Sequence, residues 1–212
     1  MTEPAWEQAK AALAAGDTAR AAELIDVAVA RWRSLQDYSI NWVTSLLSFI
    51  GRELGEAAVE TALRQFGDQF LYPRRSAEWD GLPAEVRAKA VARAMVANFG
   101  ACEVSEDDEK IVLSFRCGSG GRLIDEGCYE GEDGYLTLQR VGPQTFGRDT
   151  LPVYCAHCSV NNEIQPVEWG RAPTTVEHPP TRPGEPCVHH VYKDVAAIPD
   201  EVYRRIGKEK PN

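Results

Sequence analysis

The sequence predicts an α+β fold, with a helical bundle in the N-terminal half packed on a mostly antiparallel sheet in the C-terminal half. Three observations carry this. The first hundred residues are rich in Ala, Leu, Glu and Arg at helical spacing. From Ala101 onward the pattern switches to short alternating β-branched runs broken by Gly and Pro. Every histidine and cysteine lies in that second part, beginning at Cys102. Two regions follow, a helical one over 1–100 and a β-rich one over 101–212.

In chain order, "EQAKAALAAGDTARAAELIDVAVARWRSL" predicts two helices parted at Gly16, with Asp17 capping the second. Asp37 is read as opening a third, "YSINWVTSLLSFIGREL", whose Trp42, Leu46, Phe49 and Ile50 form one apolar face. Gly55 stops it, and "EAAVETALRQFGDQF" forms a fourth helix. The loop "YPRRSAEWDGLP" leads to a fifth, "AEVRAKAVARAMVANFG", with Gly100 at its end. The pair around "AALAAGDTARAAELIDVA" has no second copy at a fixed period, so a solenoid is not expected. Strands are expected in "KIVLSFRC", "GYLTLQRV", "LPVYC", "EIQPVEWG", "PTTVEH" and "CVHHVYK", and a last short helix in "IPDEVYRRIG".

Composition bounds the function. A chain of 212 residues with 43% hydrophobic and 26% charged residues matches a soluble globular protein. No apolar run approaches the roughly 20 residues that span a bilayer, so no membrane partner is expected. The start "MTEPAWEQAK" lacks a basic stretch followed by an apolar core, which predicts a cytoplasmic location. A net charge of −9 without a Lys/Arg cluster argues against nucleic acid. In a reducing compartment six cysteines point to metal ligands, reactive groups or buried thiols rather than disulfides.

Four of those cysteines sit where a chain commonly turns: Cys117 in "FRCGSGG", Cys155 and Cys158 in "YCAHC", and Cys187 in "GEPCVHH". A C-x-x-C step can deliver two thiolates to one zinc ion at about 2.3 Å, with remote Cys117 and Cys187 completing the set and His157, His189 and His190 as nitrogen alternatives. Zinc held by Cys117, Cys155 and Cys158 would keep an open position; adding Cys187 would close it into a structural site. An iron–sulfur cluster on the same four thiols is the alternative cofactor, and buried thiols are the plainer reading. A redox dithiol should start a helix, and "SVNNEIQP" reads instead as a turn.

Around these thiols, Gly118, Ser119, Gly120 and Gly121 form either a flexible turn or a nest of N–H groups for an anion. No G-K-[ST] follows, which excludes a phosphate-binding P-loop. Arg122 is a candidate charge for a carboxylate substrate, and His157 or His190 a candidate proton carrier. Alternation in an extended "CVHHVYK" sets His189 and His190 on opposite faces. Glu163 and Glu168 are weaker candidate bases, Tyr154 and Trp169 candidate core residues, His178 a loop residue, Cys102 a buried thiol and Cys128 a loop thiol.

Helices first, then a β-rich half closing on a cysteine that enters a strand ("GEPCVHHVYK"): this layout resembles small cytosolic domains of the 4-vinyl-reductase and aminothiazoline-carboxylate-hydrolase types. The resemblance rests on the Gly-x-x-Cys step at Cys187 and carries over no catalytic residue; "CGSGG" and "YCAHC" are not motifs of those families. Together the residues predict a metal-dependent hydrolase or lyase acting on a small anionic molecule, or a non-catalytic zinc module, or an iron–sulfur redox protein.

Overall fold

A computed structural model describes residues 3–75 and 78–211. Ser76 and Ala77, inside the expected Pro-bearing loop, lie outside the described residues, as do Met1, Thr2 and Asn212. The chain divides into two compact units, residues 1–42 and 43–212. The switch in composition at residue 100 falls inside the second unit. Among the described residues no helix is long and apolar enough to cross a membrane.

The first unit holds α1 (Ala5–Ala14) and the beginning of α2 (Thr18–Leu54). Gly16 makes the turn at φ +79°, and Asp17 accepts the Arg20 amide at 2.9 Å as the expected cap. Trp6, Leu13, Ile25 and Trp32 line an apolar groove on this unit. The break expected before Asp37 does not occur. No Gly or Pro stands between Thr18 and Ile50, and a few weak helix formers cost only about 0.7 kcal/mol each. Ser39 and Asn41 return their side chains to the carbonyls four residues back, leaving the ladder intact.

In the second unit Gly55 stops α2 at φ +89° and α3 (Glu56–Phe66) follows. It runs on as a π-helical turn over Gly67–Leu71, and α4 spans Ala84–Ala97. That last helix does not close on Gly100 as expected. Phe99 takes the left-handed conformation at φ +56°, and the Gly100 amide reaches back to the Met95 carbonyl.

The four-stranded sheet has order β1-β2-β6-β5 and is antiparallel throughout, built from β1 (Ala101–Glu106), β2 (Lys110–Arg116), β5 (Val176–His178) and β6 (Cys187–Tyr192). β3 (Thr137–Leu138) and β4 (Leu151–Pro152) form a separate two-stranded ribbon, so "GYLTLQRV" and "LPVYC" supply far less strand than expected. "EIQPVEWG" is not a strand. It lies in a π-helix over Cys158–Ile164 that runs into α6 (Gln165–Glu168). Pro166 is tolerated inside this run because the Asn162 carbonyl four residues back, which it cannot serve, accepts the Thr174 amide at 2.8 Å instead. The expected final helix is α7 (Asp200–Arg205).

One face of the sheet carries Ile111, Leu113, Phe115, Cys187 and Val191 and packs on Ala84, Ala88 and Met95 of α4. On the other face Tyr192 packs with Val202 and Tyr203 of α7. The largest core cluster joins Leu47, Val59 and Leu63 to Leu138, Leu151, Val160 and Ile164.

Candidate active site

Between α4 and its covered sheet face lies a cavity of about 700 Å³. That is the size range of small-molecule sites. The sheet floor supplies Cys187 and His189, which are two apart on β6 and therefore share a face. Register supplies the third group: Glu177 on β5 is the direct cross-strand partner of His189.

These three side chains form a continuous contact chain. Cys187 Sγ lies 3.3 Å from His189 Nε2, and His189 Nδ1 lies 3.3 Å from Glu177 Oε1. Thr175 places its hydroxyl 3.1 Å from the same Nδ1 and donates to Glu177 Oε1 at 3.1 Å. Asn162 Nδ2 donates to that oxygen at 2.9 Å. Glu177 is 1% exposed and Glu177 Oε2 has no hydrogen-bond partner among the described residues. Nδ1–H donating into the Glu177–Thr175 pair is the tautomer that leaves the Nε2 lone pair facing the Cys187 thiol. Burial pushes the Cys187 thiol up, with the Glu177 charge adding to it, and burial pulls His189 down against the opposing Glu177. Both shifts favour the neutral thiol and the neutral imidazole.

The turn after β2 forms one wall. Cys117 Sγ sits 3.0 Å from Ser119 Oγ, and α5 (Gly120–Asp125) starts directly after it, where no helix is expected. Its glycines permit close approach. A Cβ on Gly120 would lie 2.8 Å from Tyr154 Cδ1 and 3.3 Å from Cys155 Sγ, and one on Gly121 2.8 Å from Cys117 Cβ. Gly118 is pressed against α4, where a Cβ would fall 1.9 Å from the Asn98 carbonyl oxygen.

The segment from Tyr154 to Cys158 forms another wall, and it is helical rather than a turn. His157 Nδ1 meets the Tyr154 carbonyl at 2.5 Å, while its Nε2 lies 3.5 Å from Cys158 Sγ. Burial pushes the Cys155 and Cys158 thiols well up; neighbouring Cys117 adds to the first and Glu177 to the second. Burial also pushes Tyr154 up to about 12, against a hydrogen bond from Ser119.

The cavity thus gathers Cys117, Cys155, Cys158, Cys187 and His157 from the residues expected on sequence grounds, together with Ser119, Gly120 and Gly121. Three expected residues stand elsewhere, Gly118 among them. His190 is on the opposite face of β6, its ring 4.7 Å from that of His178. Arg122 pairs with Glu126 at 2.6 Å and does not line the cavity. Cys102 and Cys128 are half-buried, also outside it. Glu168 binds Arg64 and Lys208.

Four residues of the site were missed from sequence: Glu177, Thr175, Asn162 and Arg75. The alternation in "TVEH" places Thr175 and Glu177 on one face; nothing in it pairs that face with His189. A closed metal centre is not preformed. Among the described residues no group of three His, Cys, Asp or Glu side chains stands where it could hold an ion. The four thiols share the cavity, but as placed they do not fit zinc or a cluster. No family model, curated protein or solved structure matches this chain.

Proposed function

We propose that this protein is a cysteine-dependent hydrolase acting on a small anionic molecule, with Cys187 as nucleophile, His189 as its base and Glu177 orienting the imidazole. The observation that carries the reading is the run Cys187 Sγ–His189 Nε2, 3.3 Å, and His189 Nδ1–Glu177 Oε1, 3.3 Å, at the floor of a cavity of ligand size. Nucleophile, base and orienting carboxylate in that order are the arrangement that activates a thiol held neutral at rest. His157 and Cys158 make a second thiol–imidazole contact, but His157 Nδ1 meets only a backbone carbonyl. Glu177 would stabilise an imidazolium at His189 far better.

In this mechanism Cys187 Sγ forms a bond to an acyl carbon as its proton passes to His189 Nε2. The same proton then goes to the leaving group as the acyl–leaving-group bond breaks. His189 next takes a proton from water, whose oxygen attacks the thioester, and returns it to Cys187 as the carboxylic product departs. The net change is hydrolysis, and no oxidant or reductant is consumed.

The test is a burst of 4-nitrophenolate from 4-nitrophenyl acetate, with the acetyl group located by peptide mass. Cys187→Ala should abolish the burst, and His189→Ala should slow it about 100-fold or more, the usual worth of a positioned base. A burst that survives Cys187→Ala would overturn the assignment.

A zinc-dependent version of the reading is favoured by one observation, that Cys117, Cys155 and Cys158 line the same cavity. Binding would require the thiols to close in and release their protons. Stoichiometric zinc in the purified protein, lost in Cys155→Ser, would support it. Iron with visible absorbance would instead favour a cluster.

A further inference from the structure

Beside the thiol–imidazole pair, the cavity wall carries Arg75. Its guanidinium is held by neutral acceptors only: Nη1 donates to Thr174 Oγ1 at 2.7 Å and Nη2 to Asn162 Oδ1 at 2.6 Å. Among the described residues no carboxylate lies within ion-pair distance of it. Burial pulls the group down to about 10, with the nearby Glu177 charge acting against that fall. Arg75 is half-buried, and a partly desolvated cation without a paired anion carries a cost. Two of its five N–H donors are engaged by the bonds above, and the planar fork matches a carboxylate. Asn162 fixes its place relative to the chemistry, since Asn162 Oδ1 holds Arg75 while its Nδ2 holds Glu177. Arg75, Asn162 and Glu177 thus form one hydrogen-bonded run along the cavity, which Thr175 joins to His189 and so to Cys187.

We infer that Arg75 receives the anionic end of the substrate, so that the ligand is a small carboxylate presenting its reactive carbon to Cys187. The inference builds on the reading of Cys187 as nucleophile, and it names the substrate class for that site. Arg75 fixes specificity; it takes no proton.

The experiment compares acid and amide forms of one alkylating probe: iodoacetate against iodoacetamide, and bromoacetylglycine against bromoacetylglycinamide. Labelling is read thiol by thiol from peptide mass and divided by the same ratio for free glutathione. In the wild-type protein the acid-to-amide ratio should exceed that of glutathione about 10-fold for at least one probe pair. Arg75→Gln should return it to about 1, and Arg75→Lys should retain part of it. A ratio near that of glutathione in the wild-type protein, or one that Arg75→Gln leaves intact, overturns the assignment. Failure of the nucleophile reading looks different: the label falls on Cys117, Cys155 or Cys158, and the Arg75 ratio is still read there. If no cavity thiol is labelled, thermal melting with millimolar glutarate decides. A rise in Tm present in the wild-type protein and absent in Arg75→Gln supports the anion site; equal shifts in both overturn it.

Discussion

The identity of one atom on Glu177 decides which nitrogen of His189 carries its proton. Glu177 Oε1 accepts from Thr175 and Asn162 and faces His189 Nδ1. A glutamine there is able to turn its amide N–H toward Nδ1, which moves the proton to Nε2 and removes the base from Cys187. Glu177→Gln is therefore expected to lower the ester burst rate by about 10³- to 10⁴-fold, as loss of an orienting carboxylate does elsewhere. The defect should shrink at high pH, where hydroxide ionises the thiol without help. An unchanged rate with an unchanged pH profile would remove Glu177 from the mechanism. This residue also marks the limit of what the chain discloses when read linearly. Cys187 and His189 are two apart in an alternating run, so their shared face is readable. Glu177 becomes their neighbour only through the β5–β6 register, and Arg75 only through a loop preceding α4.

At the scale of elements, two π-helical turns meet. Such turns concentrate at functional sites. Here the last turn of α3 receives a second set of donors: Asn161 Nδ2 donates to the Leu63 carbonyl at 2.9 Å and Gln165 Nε2 to the Arg64 carbonyl at 2.9 Å, beside the backbone N–H groups those carbonyls already accept. Gly67 makes the approach possible, since a Cβ there would fall 1.8 Å from Gln165 Oε1 and 2.8 Å from Asn161 Nδ2. Gln165 cannot swing clear without breaking its bonds to Arg64, Asp68 and Asn161. Gly67→Ala should cost about 2 kcal/mol or more, seen as a lower urea midpoint; an unchanged midpoint would mean the two turns separate freely. The same packing explains why "SVNNEIQP" reads as a turn and folds as a helix. Paired Asn is a poor helix former locally, yet Asn161 and Asn162 each spend their amides on partners far away in sequence. By contrast α4, β2 and β6 carry strong local periodicity and were readable directly.

The whole second unit is tied together at Glu163, and that knot gives the molecule a pH signature. Glu163 is fully buried on the Cys158–Ile164 turn; its Oε1 accepts from the Glu177 amide of β5 at 2.6 Å and from Arg205 of α7 at 2.5 Å. Its Oε2 has no partner among the described residues. Burial pushes Glu163 up to about 7, ahead of the opposing pull from Arg205. In the unfolded chain the same carboxyl loses its proton near 4.3. Between those values the folded state binds more proton than the unfolded one, so this group's contribution is fully present below about pH 4 and is lost as pH rises through 7. Glutamine keeps the Oε1 acceptor and never ionises. The stability of Glu163→Gln relative to the wild-type protein should therefore move in the variant's favour from pH 4.5 to 7 and level off above 8. His178, held down to about 4 chiefly by burial, and the similarly lowered His189 and His190 act in the opposite sense, favouring the fold as pH rises. They are common to both proteins and drop out of the difference. Urea midpoints measured at half-unit intervals would show the trend. A difference that is flat, or that runs against the variant, would mean Arg205 holds Glu163 ionised throughout and that the knot is an ion pair rather than a shared proton.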